Sequence, residues 1–326
     1  MADLGESELL SLIAERVPGG AVSELLVGDD AAILDPLPGD RVLIATDMVV
    51  EGVDFDLSYS SGGDVGWKAL AINVSDIAAM AGTPRDAVVA LGMPHGTPLE
   101  FFDGFLKGIL EGCAAWDTRL VGGDLSESAE IVVSVAITGW CSGEPVTRRG
   151  ARLGDAICVT GSLGASAAGL SALRAGLKGT SPEVDAAIHR HLRPIVRLEE
   201  GRVLRDAGAT AMIDVSDGLG LDLSRLLGAS GVGCSISSSA IPVASGVEEI
   251  CALTGGDADG LALGGGEDQE LVAILPEGCV ETARELVRGC GTSLALLGVV
   301  TDGLALLDSE PLHEREGLGW EHLRNP

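Results

Sequence analysis

The sequence predicts a two-domain protein that mixes helices and strands, of the α/β or α+β class. The chain has 326 residues, and domains commonly contain about 150 residues. Apolar runs with strand character alternate with helical runs in both halves. A turn-rich basic stretch, Gly143–Gly154, lies between two strands near the middle. We therefore place the boundary there, which gives domains of residues 1–150 and 151–326.

The elements follow from apolar runs bounded by glycine, proline and charged residues. The strand-like runs are Val42–Thr46, Ala87–Leu91, Ile131–Thr138, Ala156–Thr160, Ala211–Ile213, Glu270–Leu275 and Ser293–Val300. The helix-like runs are Ser7–Val17, Asp64–Met80, Leu99–Ala115, Ala165–Ala175, Pro194–Asp206, Leu219–Leu227 and Val280–Arg288. Because both kinds of run occur in each half, we expect each domain to combine a sheet with helices.

Charge narrows the classes of function. The chain has 49 acidic and 21 basic residues, a net charge of −28 and only three lysines. Such a chain repels nucleic acids and anionic membranes, so we expect neither as a partner. The hydrophobic fraction of 46% argues against a disordered acidic tail. If the substrate carries phosphates, cations bridging carboxylates must supply the neutralising charge that lysines cannot.

Cysteine usage and the absence of targeting segments predict a cytoplasmic location. The seven cysteines are scattered and never form a C-x-x-C motif, which favours reduced thiols over disulfides or a zinc site. The N-terminal residues lack the basic start and apolar core of a signal peptide. No window of eighteen uninterrupted apolar residues is present, so the sequence predicts no membrane span.

The helix around Asp76 is the most informative single element. Residues 69–80 are apolar nearly all round, which predicts a buried helix. Asn73 and Asp76 are three residues apart and therefore share a face. A buried carboxylate is unfavourable unless it is paired or binds a metal. Taken alone, Asp76 is equally well explained as a buried acid that caps a neighbouring loop.

Acidic residues beside glycines or at strand ends recur along the chain. They are Asp29 and Asp30, Asp47 with Glu51, Asp124, Asp214 with Asp217, and Glu267 with Asp268. Any one of them is better explained as a helix cap or turn residue. Together, in a chain so poor in lysine, they favour an oxygen-ligand site for several magnesium ions and bound phosphates.

Other candidate groups remain ambiguous at this level. Walker, H-E-x-x-H, G-x-S-x-G and kinase H-R-D motifs are absent from the sequence. Arg148 is a candidate phosphate contact, although an exposed pair with Arg149 is equally plausible. Trp320 either stacks on a ligand ring or docks the C-terminal segment. His189 and His191 lie among arginines, which predicts a solvated basic helix face.

Seven motifs in a fixed order resemble those of the thiamine-monophosphate kinases, whose superfamily includes aminoimidazole ribonucleotide synthetase and selenophosphate synthetase. The motifs are Gly28–Ala32, Thr46–Asp47 with Val50–Val53, Asn73–Met80, Gly122–Asp124, Thr147–Arg148, Ile213–Leu219 and Gly265–Asp268. The resemblance runs nearly end to end. It implies an N-terminal domain that dimerises through its sheet, a C-terminal α/β domain, and an active site in the cleft between them.

The implied reaction transfers the γ-phosphate of ATP to the phosphate of thiamine monophosphate. No nucleophile or catalytic base is assigned, because the acceptor is already an anionic phosphate oxygen and the reaction depends on positioning and charge neutralisation. By resemblance, magnesium ions would be held by Asp30, Thr46, Asp47, Asp76, Asp124, Asp214 and Asp217. Likewise, ATP would contact Gly123, Asp124, Arg148 and Ser216, and the thiamine substrate Asp54, Glu267 and Trp320. The resemblance also implies a homodimer and leaves a monovalent cation open.

Two departures from the family pattern concern the substrate pocket. Asp54 stands where the family usually has His, and Gln269 replaces a usual Tyr. An acid at position 54 could still attract the thiazolium cation, which is a hypothesis. Two alternatives remain at this level: another ATP-using member of the superfamily with a different acceptor, or a non-catalytic nucleotide- or metal-binding protein.

Overall fold

A computed structural model of the protein describes residues 32–37 and 40–321, and in this part of the chain two separate sheets form. The first sheet has the strand order β1-β2-β5-β3-β4. Its strands are β1 (Ala32–Leu37), β2 (Asp40–Val50), β3 (Thr83–Met93), β4 (Arg119–Glu127) and β5 (Val132–Ser142). Strands β3 and β4 pair in parallel, and the other neighbours are antiparallel.

Two helices, α1 (Gly62–Ala79) and α2 (Leu99–Ala115), accompany the first sheet. Strand residues such as Val135 and Ile137 share a buried cluster with residues of both helices. Alternate residues point to the other face of a strand, and there Met48 and Val88 are exposed. The first sheet is therefore covered on one face and open on the other within a single chain.

Helix α1 begins at a complete capping box. The Ser61 hydroxyl accepts a hydrogen bond from the Asp64 backbone N–H, and the Asp64 carboxylate accepts one from the Ser61 N–H. Glycines then let α1 approach α2 closely. A Cβ atom on Gly62 or Gly66 would lie 2.1 or 2.2 Å from a carbonyl oxygen of α2, so side chains there would force the two helices apart.

The second sheet has the order β12-β11-β8-β10-β6-β9-β7. Its strands are β6 (Ala156–Thr160), β7 (Ala211–Asp214), β8 (Gly233–Ile236), β9 (Leu271–Leu275), β10 (Leu294–Thr301), β11 (Ala305–Leu307) and β12 (Glu310–Pro311). The helices are α3 (Ala165–Arg174), α4 (Pro182–Leu192), α5 (Leu198–Asp206), α6 (Leu219–Ser230), α7 (Val247–Thr254), α8 (Ala258–Gly264) and α9 (Val280–Gly289). Strands β6, β7 and β9 are buried at every position.

The predicted mixture of helices and strands in both halves is confirmed, but several boundaries differ. The helix predicted from Pro194 begins at Leu198, because residues 194–197 form a connection in which the Pro194 carbonyl accepts a hydrogen bond from the Trp67 indole. Asp47 lies inside β2 and not at its end, since β2 stays paired with β5 as far as Val50. The predicted helix of residues 7–17 lies outside the described residues.

The described residues also bear on the expectations for the cysteines and for membrane-spanning helices. All seven cysteines are free thiols, as the sequence predicts. No helix in the described part of the chain is both long and apolar enough to span a bilayer.

Candidate active site

Helix α1 connects the two sheets through short polar side chains. The Asn73 amide oxygen accepts a hydrogen bond from the Asp47 backbone N–H on β2 at 2.9 Å. The Ser75 hydroxyl donates to the Asp214 carboxylate at the end of β7 at 2.6 Å. Asp76 follows Ser75 directly and lies on the same turn as Asn73. One turn of a buried helix therefore carries Asp76, binds the backbone of Asp47 and binds the carboxylate of Asp214.

The loop after β7 is organised by Asp222, which the sequence analysis did not single out. One oxygen of its buried carboxylate accepts the backbone N–H groups of Ser216, Asp217 and Gly218 at 3.0–3.1 Å. Burial raises the pKa of Asp222 to about 7 and the neighbouring Asp217 acts in the same direction, against the lowering effects of Arg225 and the backbone N–H groups. The only signal in the sequence is an acid in the first turn of α6.

The same loop holds two predicted thiamine contacts by its carbonyl groups. The Ser216 carbonyl accepts a hydrogen bond from the backbone N–H of Glu267 at 2.6 Å. The Asp217 carbonyl accepts one from the backbone N–H of Trp320 at 2.8 Å. The Trp320 residue is 58% exposed. Residues expected to contact ATP and metal, and residues expected to contact the substrate, are thus joined through adjacent peptide groups.

Glu267 and Asp54 meet at one buried lysine. Lys68 Nζ lies 2.6 Å from Glu267 Oε1 and donates to the Asp54 carbonyl at 3.0 Å. Burial alone would raise the pKa of Glu267, but the charge of Lys68 and the contact with His191 outweigh it and lower that pKa to about 2. The Asp54 carboxylate accepts a hydrogen bond from the Val50 N–H at 2.7 Å.

The prediction of a solvated basic face at His189 and His191 is wrong for His191, which is 3% exposed. His191 Nδ1 lies 3.3 Å from Glu267 Oε2. Its position could have been read from the sequence, because His191 follows Val184 and Ile188 at helical spacing and these three share the buried face of α4. Burial lowers the pKa of His191, and the charges of Lys68 and Arg174 add to the effect against that of Glu267.

Gly123 and Asp124 lie on the exposed edge strand β4. They line a cavity of about 440 Å³ together with Phe102, Phe105 and Leu106 from α2. A largely apolar cavity with a few polar groups at its rim is a typical site for a flat heterocyclic ligand. The remaining predicted ATP contact, Arg148, is half-buried, and its carbonyl accepts a hydrogen bond from the Ser230 hydroxyl at 3.0 Å.

Strand register separates the two ends of the predicted magnesium site. Asp47 pairs with Val135, Val135 with Val89, and Val89 with Gly123. Three strand spacings of about 4.8 Å put Asp47 and Gly123 about 14 Å apart along the sheet. In residues 40–321, no three His, Cys, Asp or Glu side chains are grouped to hold one ion, and Asp30 lies outside the described residues. The Thr46 hydroxyl donates to the Val135 carbonyl at 2.8 Å.

Two family descriptions match the chain in sequence. Residues 28–141 match the AIR synthase related protein, N-terminal domain, and residues 152–306 match the corresponding C-terminal domain. The two sheets and the site between them therefore define a protein of the AIR synthase related class. The HypE hydrogenase maturation protein from E. coli has the same fold, with a TM-score of 0.70 at 23% identity, over 96% of this chain and 94% of that one.

Proteins that share higher sequence identity with this chain indicate one family within the AIR synthase related class. The thiamine-monophosphate kinase of Halobacterium salinarum is 38% identical over 95% of this chain and 98% of the relative, and that of Escherichia coli is 34% identical over 99% of each. The solved structure of AaThiL complexed with AMPPCP and TMP superposes with a TM-score of 0.88 at 32% identity, over 99% of this chain and 98% of that chain. The chain belongs to the thiamine-monophosphate kinase family. The family resemblance, the fold class and the enzyme class expected from the sequence are confirmed.

Proposed function

We propose that this protein transfers the γ-phosphate of ATP to the phosphate of thiamine monophosphate and so forms thiamine diphosphate. The observation that carries the proposal is the loop after β7, whose Ser216 and Asp217 carbonyls hold Glu267 and Trp320. A phosphoryl donor bound by this loop and an acceptor bound by those side chains would lie side by side. The structural relative with AMPPCP and TMP supports the same pair of ligands.

The ATP site is proposed at β4 and the neighbouring loop. The apolar cavity between α2 and β4 suits the adenine ring, with Gly123 and Asp124 at its edge. Arg148 and Ser216 would contact the phosphates. We retain the division into residues 1–150 and 151–326, so that the site is built from both domains.

The donor set of the predicted metal residues fits magnesium. It consists of carboxylate and hydroxyl oxygens, the ligands that Mg²⁺ prefers, and Mg²⁺ commonly takes one or two carboxylates with water and substrate phosphates. The residues that would hold it are Asp30, Thr46, Asp47, Asp76, Asp124, Asp214 and Asp217. Bound magnesium would neutralise phosphate charge during in-line transfer. A monovalent cation stays a prediction, as does the cytoplasmic location, which fits an ATP-using enzyme.

The side chains of this protein would act by binding and orienting the reactants. Trp320 presents an exposed indole that can stack on a ring of the substrate. Glu267 and Asp54 place negative charge beside the positively charged thiazolium. The attacking group is a phosphate oxygen that is already anionic, so alignment with the donor matters more than removal of a proton. We therefore assign no catalytic base.

A homodimer through the open face of the first sheet completes the proposal. Met48 and Val88 are exposed apolar side chains on this face, and exposed apolar surface is typical of an interface. A second copy packed on this face would remove these side chains from water.

The reaction is tested by ³¹P NMR of the purified protein with Mg-ATP and thiamine monophosphate. We expect signals of thiamine diphosphate and ADP to appear together, and to vanish in the Asp47→Asn variant. ADP with free phosphate but no thiamine diphosphate would mean that the acceptor is a different molecule. No turnover of ATP would favour a binding protein without catalysis.

The dimer is tested by analytical ultracentrifugation of the wild type and of Val88→Asp, which places a charge on the open face. We expect the wild type to sediment as a dimer and Val88→Asp as a monomer, because a charge buried without a partner is unfavourable. A wild type that stays monomeric at every concentration would contradict the dimer.

A further inference from the structure

A cluster of three ionisable side chains lies where α1, α4 and the loop before β9 meet. Lys68 comes from α1, His191 from α4, and Glu267 from the loop. The side chains of Lys68 and His191 are each 4% exposed, whereas that of Glu267 is 34% exposed. The two partners are therefore enclosed, and the carboxylate they contact is the member of the cluster that a ligand can reach.

We propose that Lys68 and His191 are positioning residues that hold the Glu267 carboxylate, charged and in a fixed direction, toward the cationic ring of the thiamine substrate. This inference rests on the proposed function, in which Glu267 contacts that substrate. Neither Lys68 nor His191 is among the residues expected to touch ATP, metal or thiamine. Both act through Glu267.

Lys68 places a positive charge beside Glu267 and also contacts the backbone of Asp54, the other acidic residue of the proposed thiamine site. Its ammonium lies 2.6 Å from Glu267 Oε1 and 3.0 Å from the Asp54 carbonyl. An ammonium group in a site shielded from water strongly favours the ionised form of an adjacent carboxyl. Because the same ammonium also binds the Asp54 backbone carbonyl, it links the segment that carries Asp54 to Glu267.

His191 restricts the orientation of the Glu267 carboxylate. Its Nδ1 lies 3.3 Å from Glu267 Oε2 and 3.1 Å from the Ser166 hydroxyl. An ionised carboxylate only accepts hydrogen bonds, so His191 holds Glu267 in the tautomer or charge state that carries a proton on Nδ1, which then faces both Glu267 Oε2 and the Ser166 hydroxyl oxygen. The two oxygens of Glu267 are thereby held by two different elements, and rotation of the carboxylate is restricted.

The backbone at this point makes such support necessary. Gly266, Glu267 and Gln269 have φ values of +71°, +56° and +54°. Left-handed conformations are unfavourable for residues with a Cβ and persist where surrounding contacts impose them. The contacts of Glu267 with Lys68 and His191 are among those that keep this loop in one conformation.

The test compares Lys68→Met, His191→Leu and His191→Asn with the wild type, and uses Lys178→Met, a change of an exposed lysine, as the control. We expect Lys68→Met and His191→Leu to raise KM for thiamine monophosphate by roughly tenfold, the equivalent of about 1.4 kcal/mol. KM for ATP should stay unchanged. His191→Asn should recover most of the loss, because its amide N–H can stand near the position of Nδ1.

An uncharged analogue of the substrate shows whether the effect of Lys68→Met depends on the positive charge of the thiazolium ring or on the shape of the site. In a thiamine monophosphate analogue with an uncharged thiophene in place of the thiazolium, Lys68→Met should lose the effect on KM. Equal increases in KM for ATP and for thiamine monophosphate, or no increase in either, would overturn the inference. AMPPCP binding measured by calorimetry verifies that each variant is folded. If Lys68→Met does not fold, the comparison of His191→Leu with His191→Asn decides.

Failure of the proposed function gives a different result. A wild-type protein that binds thiamine monophosphate in calorimetry but forms no thiamine diphosphate contradicts the reaction alone. Binding of thiamine monophosphate to the variants then still measures the role of Lys68 and His191. A wild-type protein that does not bind thiamine monophosphate contradicts both proposals.

Discussion

The two sheets of this protein differ in what covers them. In the second sheet, β6, β7 and β9 are buried at every residue. In the first sheet, β5 alternates between buried and partly exposed residues over most of its length, and β4 is exposed at nearly every position. The C-terminal sheet thus acts as a closed core, and the N-terminal sheet leaves one face open within a single chain.

The difference shows how similar strands can serve different purposes. The core sheet carries a proposed metal ligand at a strand end, Asp214 in β7. The first sheet carries proposed ligands within strands, Asp47 in β2 and Asp124 in β4. A strand that is not buried on both faces can carry polar side chains along its length, whereas a strand buried on both faces offers only its ends.

The largest effect should come from Glu270, at the start of β9. Its buried carboxylate accepts hydrogen bonds from Arg190, Arg197 and Thr160 at 2.6–2.8 Å. Glu270→Gln removes the negative charge that the largely buried Arg190 and Arg197 share, although Arg197 keeps its contact with Glu200. This change should reduce the free energy of unfolding by about 3–5 kcal/mol. Urea denaturation measures this loss. A loss below about 1 kcal/mol, as at exposed ion pairs, would contradict the closed character of the second sheet.

Truncation of one apolar side chain on each sheet compares the two directly. Ile274→Ala in β9 removes a fully buried side chain and should cost about 2–5 kcal/mol of unfolding free energy. Val88→Ala, on the open face, should change it by less than about 0.5 kcal/mol in dilute protein. If the loss for Val88→Ala grows with protein concentration, a second copy covers this face. Equal losses for both variants in the monomer would remove the distinction between the sheets.

Helix capping should contribute equally in the two halves. Ser61 caps α1 and Ser181 caps α4, each by accepting a hydrogen bond from a backbone N–H three residues later. We expect Ser61→Ala and Ser181→Ala each to cost about 0.5–2 kcal/mol, the usual loss for a serine N-cap. Thermal unfolding of both variants provides the measurement. A much larger loss for Ser61→Ala would mean that α1 also stabilises the junction of the sheets through its first turn.

The smallest effect should be a pH dependence at that junction. Against the raising effect of burial, Lys68 and His191 lower the pKa of Glu267 from 4.5 to about 2, and Tyr59 and Arg174 are further titratable groups beside this cluster. This contact therefore stabilises the fold above the unfolded pKa of 4.5 and loses its contribution as the pH falls through about 2. The difference in stability between the wild type and Lys68→Met should shrink over that interval. A difference that stays constant would mean that Lys68 acts by packing alone.

Prediction from sequence succeeded best where local pattern and burial agree. The apolar runs that became β6, β7 and β9 were found because a strand buried on both faces has a continuous apolar sequence. Residues 119–127 were not assigned a complete strand, because an exposed edge strand with two glycines lacks that signature. The apolar helix around Asp76 was expected to be buried, and it is.

The residues of the candidate site also divide into those that the sequence indicated and those that it did not. Glu267, Asp214 and Ser216 stood out because they belong to short acidic or glycine-rich motifs, whereas Asp54 was assigned through the family resemblance alone. Lys68 and His191 were missed because each lies within a regular helix and its partner is remote in the chain. Asp222 was missed because its only signal is an acid in the first turn of α6. Helical spacing could have placed His191 on a buried face, but the contact with Glu267 crosses from α4 to another loop.

The sequence by itself determined the mixed fold class, the acidic oxygen-rich chemistry and the family, because composition, periodicity and short motifs are local properties. Only the tertiary structure decided that Lys68 joins Asp54 to Glu267, that one loop holds both Glu267 and Trp320, and that Asp47 and Asp124 stand on distant strands of one sheet. These relations depend on strand order and on how helices pack across the two sheets. Neither is encoded in the spacing of residues along the chain.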